Sequence, residues 1–179
     1  IRDRDVTGVQ TCALPISDAV KTMLNMGQPD RRAFAENVSA LARFAEDCRR
    51  WEMPLMIEPY LWGEAVPADP VARAEMNADG ARIAVELGAD ILKVEVGADP
   101  ERFRTLVAAS PVPVVVLGGP KRATQRETLA DIVAAAEAGA VGLTIGRNVW
   151  QHPDPVKMTQ ALSIAMRARD LDAALAALA

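Results

Sequence analysis

Lys93 stands alone among apolar residues in Gly88-Ala89-Asp90-Ile91-Leu92-Lys93-Val94-Glu95-Val96, a run that follows a helical period and reads as a buried parallel strand. An ammonium in such a place must be desolvated, paired or used chemically, because a buried charge without compensation is strongly unfavourable. Desolvation favours the neutral amine. A neutral amine attacks a ketone or aldehyde, forms a Schiff base and turns the carbonyl carbon into an electron sink for carbon–carbon cleavage. On this segment alone the ordinary alternative, a lysine at a strand end whose head reaches solvent, stays open.

Two further strand-like runs end in glycine. They are Val112-Pro113-Val114-Val115-Val116-Leu117-Gly118-Gly119-Pro120-Lys121 and Ala140-Val141-Gly142-Leu143-Thr144-Ile145-Gly146-Arg147-Asn148. Bare backbone N–H groups at Gly118, Gly119 and Gly146 can approach an anion closely, and Arg147 adds a fixed charge suited to phosphate. In parallel α/β barrels a phosphate site commonly forms from the loops after the last two strands. Ordinary turn geometry is the competing explanation for each glycine taken singly.

Strand alternation places Ile91, Lys93 and Glu95 on one face and Leu92, Val94 and Val96 on the other. By the same parity Met56, Glu58 and Tyr60 share a face of an earlier strand. If the Leu-Val-Val face packs on helices, Lys93 points into a barrel, and Lys93, Glu58 and Tyr60 can converge near the C-terminal mouth. Tyr60 then suits acid/base work, while Glu58 can orient it, hold a substrate hydroxyl or share the proton transfer. A polar rim residue and a packed aromatic are the plainer readings of these two.

The elements that must position these groups alternate strand and helix from Ser17 onward. Asp18 to Met26 is the first strand, and a helix follows from about Asp30 to Trp51, with Phe34, Val38, Leu41, Ala45 and Cys48 on one apolar face. Met53 to Tyr60 is the second strand, and its Gly/Pro-rich loop, Leu61 to Pro70, is long enough to belong to a site. Helices at about 71–87, 100–109, 126–138 and from Pro155 separate the Lys93, Val112 and Val141 strands. The tail, 170–179, is either a short helix or a frayed end. The fold class expected is α/β, with five β/α units that fit the later part of a TIM (β/α)8 barrel. A full barrel takes on the order of 250 residues, so about three N-terminal units are expected to be missing.

The chain has 179 residues, is half hydrophobic and carries a net charge of −4. That composition suits a globular domain with a sizeable core, and its scattered lysines and arginines argue against nucleic acid as a partner. No run reaches membrane-span length. Residues 1–16 do not read like the rest: Val6 to Ile16 matches the translation of a common DNA sequencing adapter, so the native part is expected to be 17–179. Setting the leader aside removes Cys12 and leaves Cys48, a small core residue by its spacing, which agrees with a reducing cytoplasm. His152 is the single histidine, so a metal site is not expected, and a supporting surface role fits it better than catalysis.

Taken in order, GADILKVEV, VPVVVLGGPK and GAVGLTIGRNVWQHPDPVKM resemble the class I aldolases of the archaeal-type fructose-bisphosphate aldolase group. That group includes the aminodideoxy-heptulosonate synthases and sits in the wider deoxyribose-phosphate aldolase superfamily. The resemblance runs from about Asp18 to Met166. It implies a barrel, a Schiff-base lysine at Lys93, a tyrosine matching Tyr60, phosphate contacts at Gly118, Gly119, Gly146 and Arg147, a sugar-phosphate substrate, and no metal or cofactor. Relatives are commonly homo-oligomers, and no interface is readable in the sequence. Two departures leave the substrate open: Glu95 where several members carry a basic residue, and Glu58 where fructose-bisphosphate members have tryptophan. The early strand that supplies an acid/base aspartate in the family has no counterpart here, so this polypeptide alone is expected to be catalytically incomplete. Three other functions stay open: a heptulosonate-synthase-type transaldolase, a phosphate-binding barrel isomerase or synthase with Glu58 as base, and a non-catalytic sugar-phosphate binding protein.

Overall fold

A computed structural model of the chain describes residues 17–118 and 124–179. The leader assigned to an adapter, together with Gly119 and Lys121, lies outside the described residues. Five strands alternate with helices: β1 Val20–Asn25, α1 Arg31–Arg50, β2 Leu55–Tyr60, α2 Pro70–Glu86, β3 Ile91–Val94, α3 Pro100–Ala109, β4 Val114–Leu117, α4 Gln125–Glu137, β5 Gly142–Thr144, α5 Arg147–Trp150, α6 Pro155–Ala168 and α7 Leu171–Ala176. This is the parallel β/α alternation of a partial TIM barrel. The one-turn helix α5 is not among the elements expected from the sequence, and the tail forms a true helix, α7.

The chain divides into two compact units, one ending at Leu92 and the other beginning at Lys93. In the first unit β1 runs parallel to β2 over its whole length, from Val20 opposite Leu55 to Asn25 opposite Tyr60. β3 joins β2 in parallel at Met56–Ile91 and Ile57–Leu92. Asp90 fixes that entry: its N–H donates to the Leu55 carbonyl and its carboxylate accepts from the Leu55 N–H, both at 2.8 Å. Leu24, Leu55, Ile57 and Leu92 are almost fully buried on the face turned toward the helices. Their alternate neighbours lie on the other face.

In the second unit β4 pairs in parallel with β5, with Val115 opposite Gly142 and Leu117 opposite Thr144. Val94, Val114 and Val116 are buried, and α4 packs on α6 and α7 around Leu129, Met158, Leu162 and Ala174.

Most helices begin on the same chemistry. Asp30, Asp69, Asp99, Asp154 and Asp170 accept from N–H groups in the first turns of α1, α2, α3, α6 and α7, and Thr124 forms a reciprocal capping box with Glu127 on α4. Three of the aspartates are followed at once by proline. Proline there gives up an N–H that has no intrahelical partner, and each side-chain cap contributes about 1 kcal/mol.

Candidate active site

The face of the first unit that holds the candidate polar groups follows from strand register. Lys21, Met23 and Asn25 on β1 stand opposite Met56, Glu58 and Tyr60 on β2. Partners in a parallel pair project to the same side, so these six residues share one face. Glu58 is 6 % exposed, although it carries a charge. Lys21 resolves the conflict: its Nζ lies 2.5 Å from Glu58 Oε2, with the lysine side chain 37 % exposed. Tyr60 sits two residues further along β2, half-buried, and its ring stacks on Trp62 at a centroid distance of 6.4 Å and an interplanar angle of 19°.

The loops above this face clasp each other. Gly63 adopts φ +123°, and a Cβ there would lie 2.3 Å from the Gly27 carbonyl oxygen. The Ala65 N–H donates to that same oxygen at 3.0 Å. Only glycine permits both the left-handed backbone and the close approach. The long connection after β2 is thereby anchored to the end of β1, which keeps Tyr60 and Trp62 next to a fixed loop.

Lys93 occupies the position that its parity requires. Leu92 and Val94 on either side are buried, and Lys93 itself is half-buried. Its side chain therefore belongs to the face opposite the helix-packed one.

In the second unit the ends of β4 and β5 meet. Asn148 Nδ2 donates to the Gly118 carbonyl at 3.2 Å, and the Thr144 hydroxyl donates to the Val116 carbonyl at 3.3 Å. A Cβ on Gly118 would come within 2.9 Å of Ile145 Cγ2, and one on Gly146 within 2.3 Å of the Trp150 ring. The structure thus brings Gly118 together with the loop carrying Gly146 and Arg147, while Gly119 lies outside the described residues. Arg147 opens α5 and is exposed. His152 ties neighbouring elements: Nδ1 accepts from the Asp154 N–H at 3.0 Å, and Nε2 lies 2.6 Å from the Gln125 side-chain amide at the start of α4. Among the described residues no group of three or more His, Cys, Asp and Glu side chains could hold a metal ion, and no helix is long and apolar enough to cross a membrane.

Cys48 lies on the apolar face of α1, 2 % exposed. Burial pushes its thiol up, assisted by the negative charges of Asp47 and Asp90, so it is held as a neutral core residue.

Lys21 and Asn148 are the polar groups that the sequence reading did not single out. Lys21 satisfies the criterion that selected Lys93, a cation isolated in an apolar strand, in Ala19-Val20-Lys21-Thr22-Met23-Leu24. Asn148 lies in the glycine-arginine-asparagine run, where its amide is the group that joins the two loops.

The profile of the DeoC/LacD family aldolases matches residues 3–152. The chain belongs to that family. The chain is 38 % identical over 149 residues to a 2-amino-4,5-dihydroxy-6-oxo-7-(phosphonooxy)heptanoate synthase of Streptomyces griseus, an alignment that takes in 82 % of the chain and 52 % of the synthase. It is 40 % identical over 124 residues to the class 1 fructose-bisphosphate aldolase of Thermoproteus tenax, covering 69 % and 46 % of the two chains. A solved Schiff-base-forming fructose-1,6-bisphosphate aldolase superimposes with a TM-score of 0.77 at 35 % identity, covering 86 % of this chain and 60 % of that one. The family member described here spans about half the length of the curated relatives it matches.

Proposed function

We propose that this aldolase-family chain carries the Schiff-base centre of a class I aldolase acting on a phosphorylated ketose. The observation that carries the reading is the placement of Lys93 on the less buried face of β3, between the buried Leu92 and Val94. The identity with class 1 fructose-bisphosphate aldolase supports it.

In this reading the Lys93 amine adds to the ketone carbon, and loss of water from the carbinolamine leaves a protonated imine. Removal of the proton from the hydroxyl two carbons away lets the intervening carbon–carbon bond break. The aldehyde departs and the bonding pair moves to the imine nitrogen as an enamine. Protonation of the enamine carbon and hydrolysis release the second product and restore the amine. Tyr60 is the proposed proton carrier and Glu58 the acceptor for a substrate hydroxyl. Gly118, Gly119, Gly146 and Arg147 are the proposed phosphate ligands. The link between Gly118 and Asn148 supports that assignment, because it keeps two glycine-bearing loops adjacent.

Borohydride trapping tests the proposal. Incubation with fructose 1,6-bisphosphate and borohydride is expected to add the reduced ketose mass to the peptide containing Lys93 and to no other lysine peptide. Lys93→Arg is expected to abolish the label. Absence of label, or label elsewhere, refutes the reading.

The identity with the Streptomyces griseus synthase favours a second reading, carbon–carbon bond formation toward an aminated, phosphorylated 6-oxo acid. The buried Glu58, which differs from the tryptophan of fructose-bisphosphate members, is compatible with such a change of substrate. Product analysis separates the two: cleavage of fructose 1,6-bisphosphate to two three-carbon phosphates supports the first reading, and its absence alongside synthesis of a phosphorylated amino acid supports the second.

A further inference from the structure

We infer that Lys21 is a positioning residue, whose ammonium fixes the Glu58 carboxylate as the acceptor for a hydroxyl of the sugar chain. The inference deepens the aldolase reading above and rests on the role that reading gives Glu58.

The register shows from which side Lys21 acts. Lys21 stands opposite Met56, two residue pairs nearer the N-terminal end of the strands than Met23 and Glu58, while Asn25 and Tyr60 stand two pairs nearer the C-terminal end. The ammonium therefore reaches Glu58 diagonally from the N-terminal side and holds Oε2 at 2.5 Å. In open parallel sheets and barrels, ligands approach from the C-terminal ends of the strands. A carboxylate anchored from the opposite end keeps its orientation as a ligand arrives, and an ionised carboxylate only accepts hydrogen bonds. The group it suits is a hydrogen-bond donor, which in a phosphorylated sugar is a hydroxyl.

The pair is also asymmetric. The Lys21 side chain is more than a third exposed, whereas the Glu58 side chain is 8 % exposed. Water therefore reaches the cation more readily than the anion. Lys21 thus serves to align a buried carboxylate, which a hydrocarbon at the same position could not do.

The test uses two carbonyl-free probes, so that it is independent of imine formation. Sorbitol 6-phosphate and hexyl phosphate each offer one phosphate on six carbons, with hydroxyls on the first only. Binding of both is measured by calorimetry for the unaltered chain, Lys21→Met, Lys21→Arg and the double variant Lys21→Met/Glu58→Met. The unaltered chain is expected to prefer sorbitol 6-phosphate by about tenfold or more, and Lys21→Met to lose most of that preference while hexyl phosphate binding changes by less than about threefold. Lys21→Arg is expected to keep it. The double variant, which removes both charges of the pair, is expected to fold and to lack the preference. An unchanged ratio in Lys21→Met, an equal loss for both probes, a preference surviving in the double variant, or no preference in the unaltered chain overturns the inference. Borohydride labelling of Lys93 is scored separately with fructose 1,6-bisphosphate, so failure of the Schiff-base reading shows there and leaves the ratio interpretable.

Discussion

The Asn148 side-chain amide donates to the Gly118 carbonyl at 3.2 Å, so the end of β4 is tied to the first turn of α5 by one hydrogen bond. Asn148→Ala is expected to lower stability by about 1 kcal/mol, the usual worth of such a bond. It should also weaken phosphate binding several-fold by letting the two glycine loops separate. Asn148→Asp, which sets a carboxylate against a carbonyl oxygen, should be worse on both counts. Thermal unfolding and a phosphate titration measure the two effects.

Gly146 lies beneath the Trp150 ring, where an added Cβ would approach ring carbons to 2.3 Å. That ring is 67 % exposed and can swing away. Gly146→Ala is therefore expected to cost about 1 kcal/mol or less, as surface changes do, yet to shift the Trp150 fluorescence. Comparison with a Trp150→Phe background assigns the shift.

Removing either partner of the Lys21–Glu58 pair should not be equivalent. Lys21→Met removes the cation that lies 2.5 Å from a buried carboxylate and is expected to destabilise the fold, though by less than the ~3–5 kcal/mol seen for fully buried pairs, because Lys21 is partly hydrated. Glu58→Gln leaves an ammonium that water can reach and is expected to cost less. Denaturant melts of the two variants should rank in that order.

Cys48 provides a pH dependence with a definite sign. Its thiol ionises at higher pH in the folded chain than in the unfolded one, because burial and then the charges of Asp47 and Asp90 oppose the thiolate. Its contribution is present in full below the unfolded value, about pH 8.5, and is lost as pH rises through the folded value, since the unfolded chain releases its proton first. Stability is expected to fall on the alkaline side, and Cys48→Ala to flatten that limb. Alkylation of the native protein at neutral pH should be slow.

Much of the architecture was legible because local patterns repeat. Five apolar runs separated by helical periods correspond to β1 through β5, and the alternation around Lys93 placed Leu92 and Val94 on the buried side as the structure has them. The Lys21–Glu58 contact was not legible, since it depends on which residue of β1 faces which residue of β2, and register is a property of two segments together. The helix α5 escaped because a single turn has no periodicity to detect. Asn148 escaped because an amide beside glycine and arginine carries no signal until the neighbouring carbonyl is known.

The repeated aspartate–proline entry into α2, α3 and α6 has an evolutionary consequence. Each of these helices sets its own starting point, whatever length of chain precedes it. The connection from Tyr60 to Pro70 can thus be much longer than the one from Val94 to Pro100 without rotating the helix behind it. Insertions and deletions that retune substrate preference can accumulate before such a boundary while the scaffold keeps its phase.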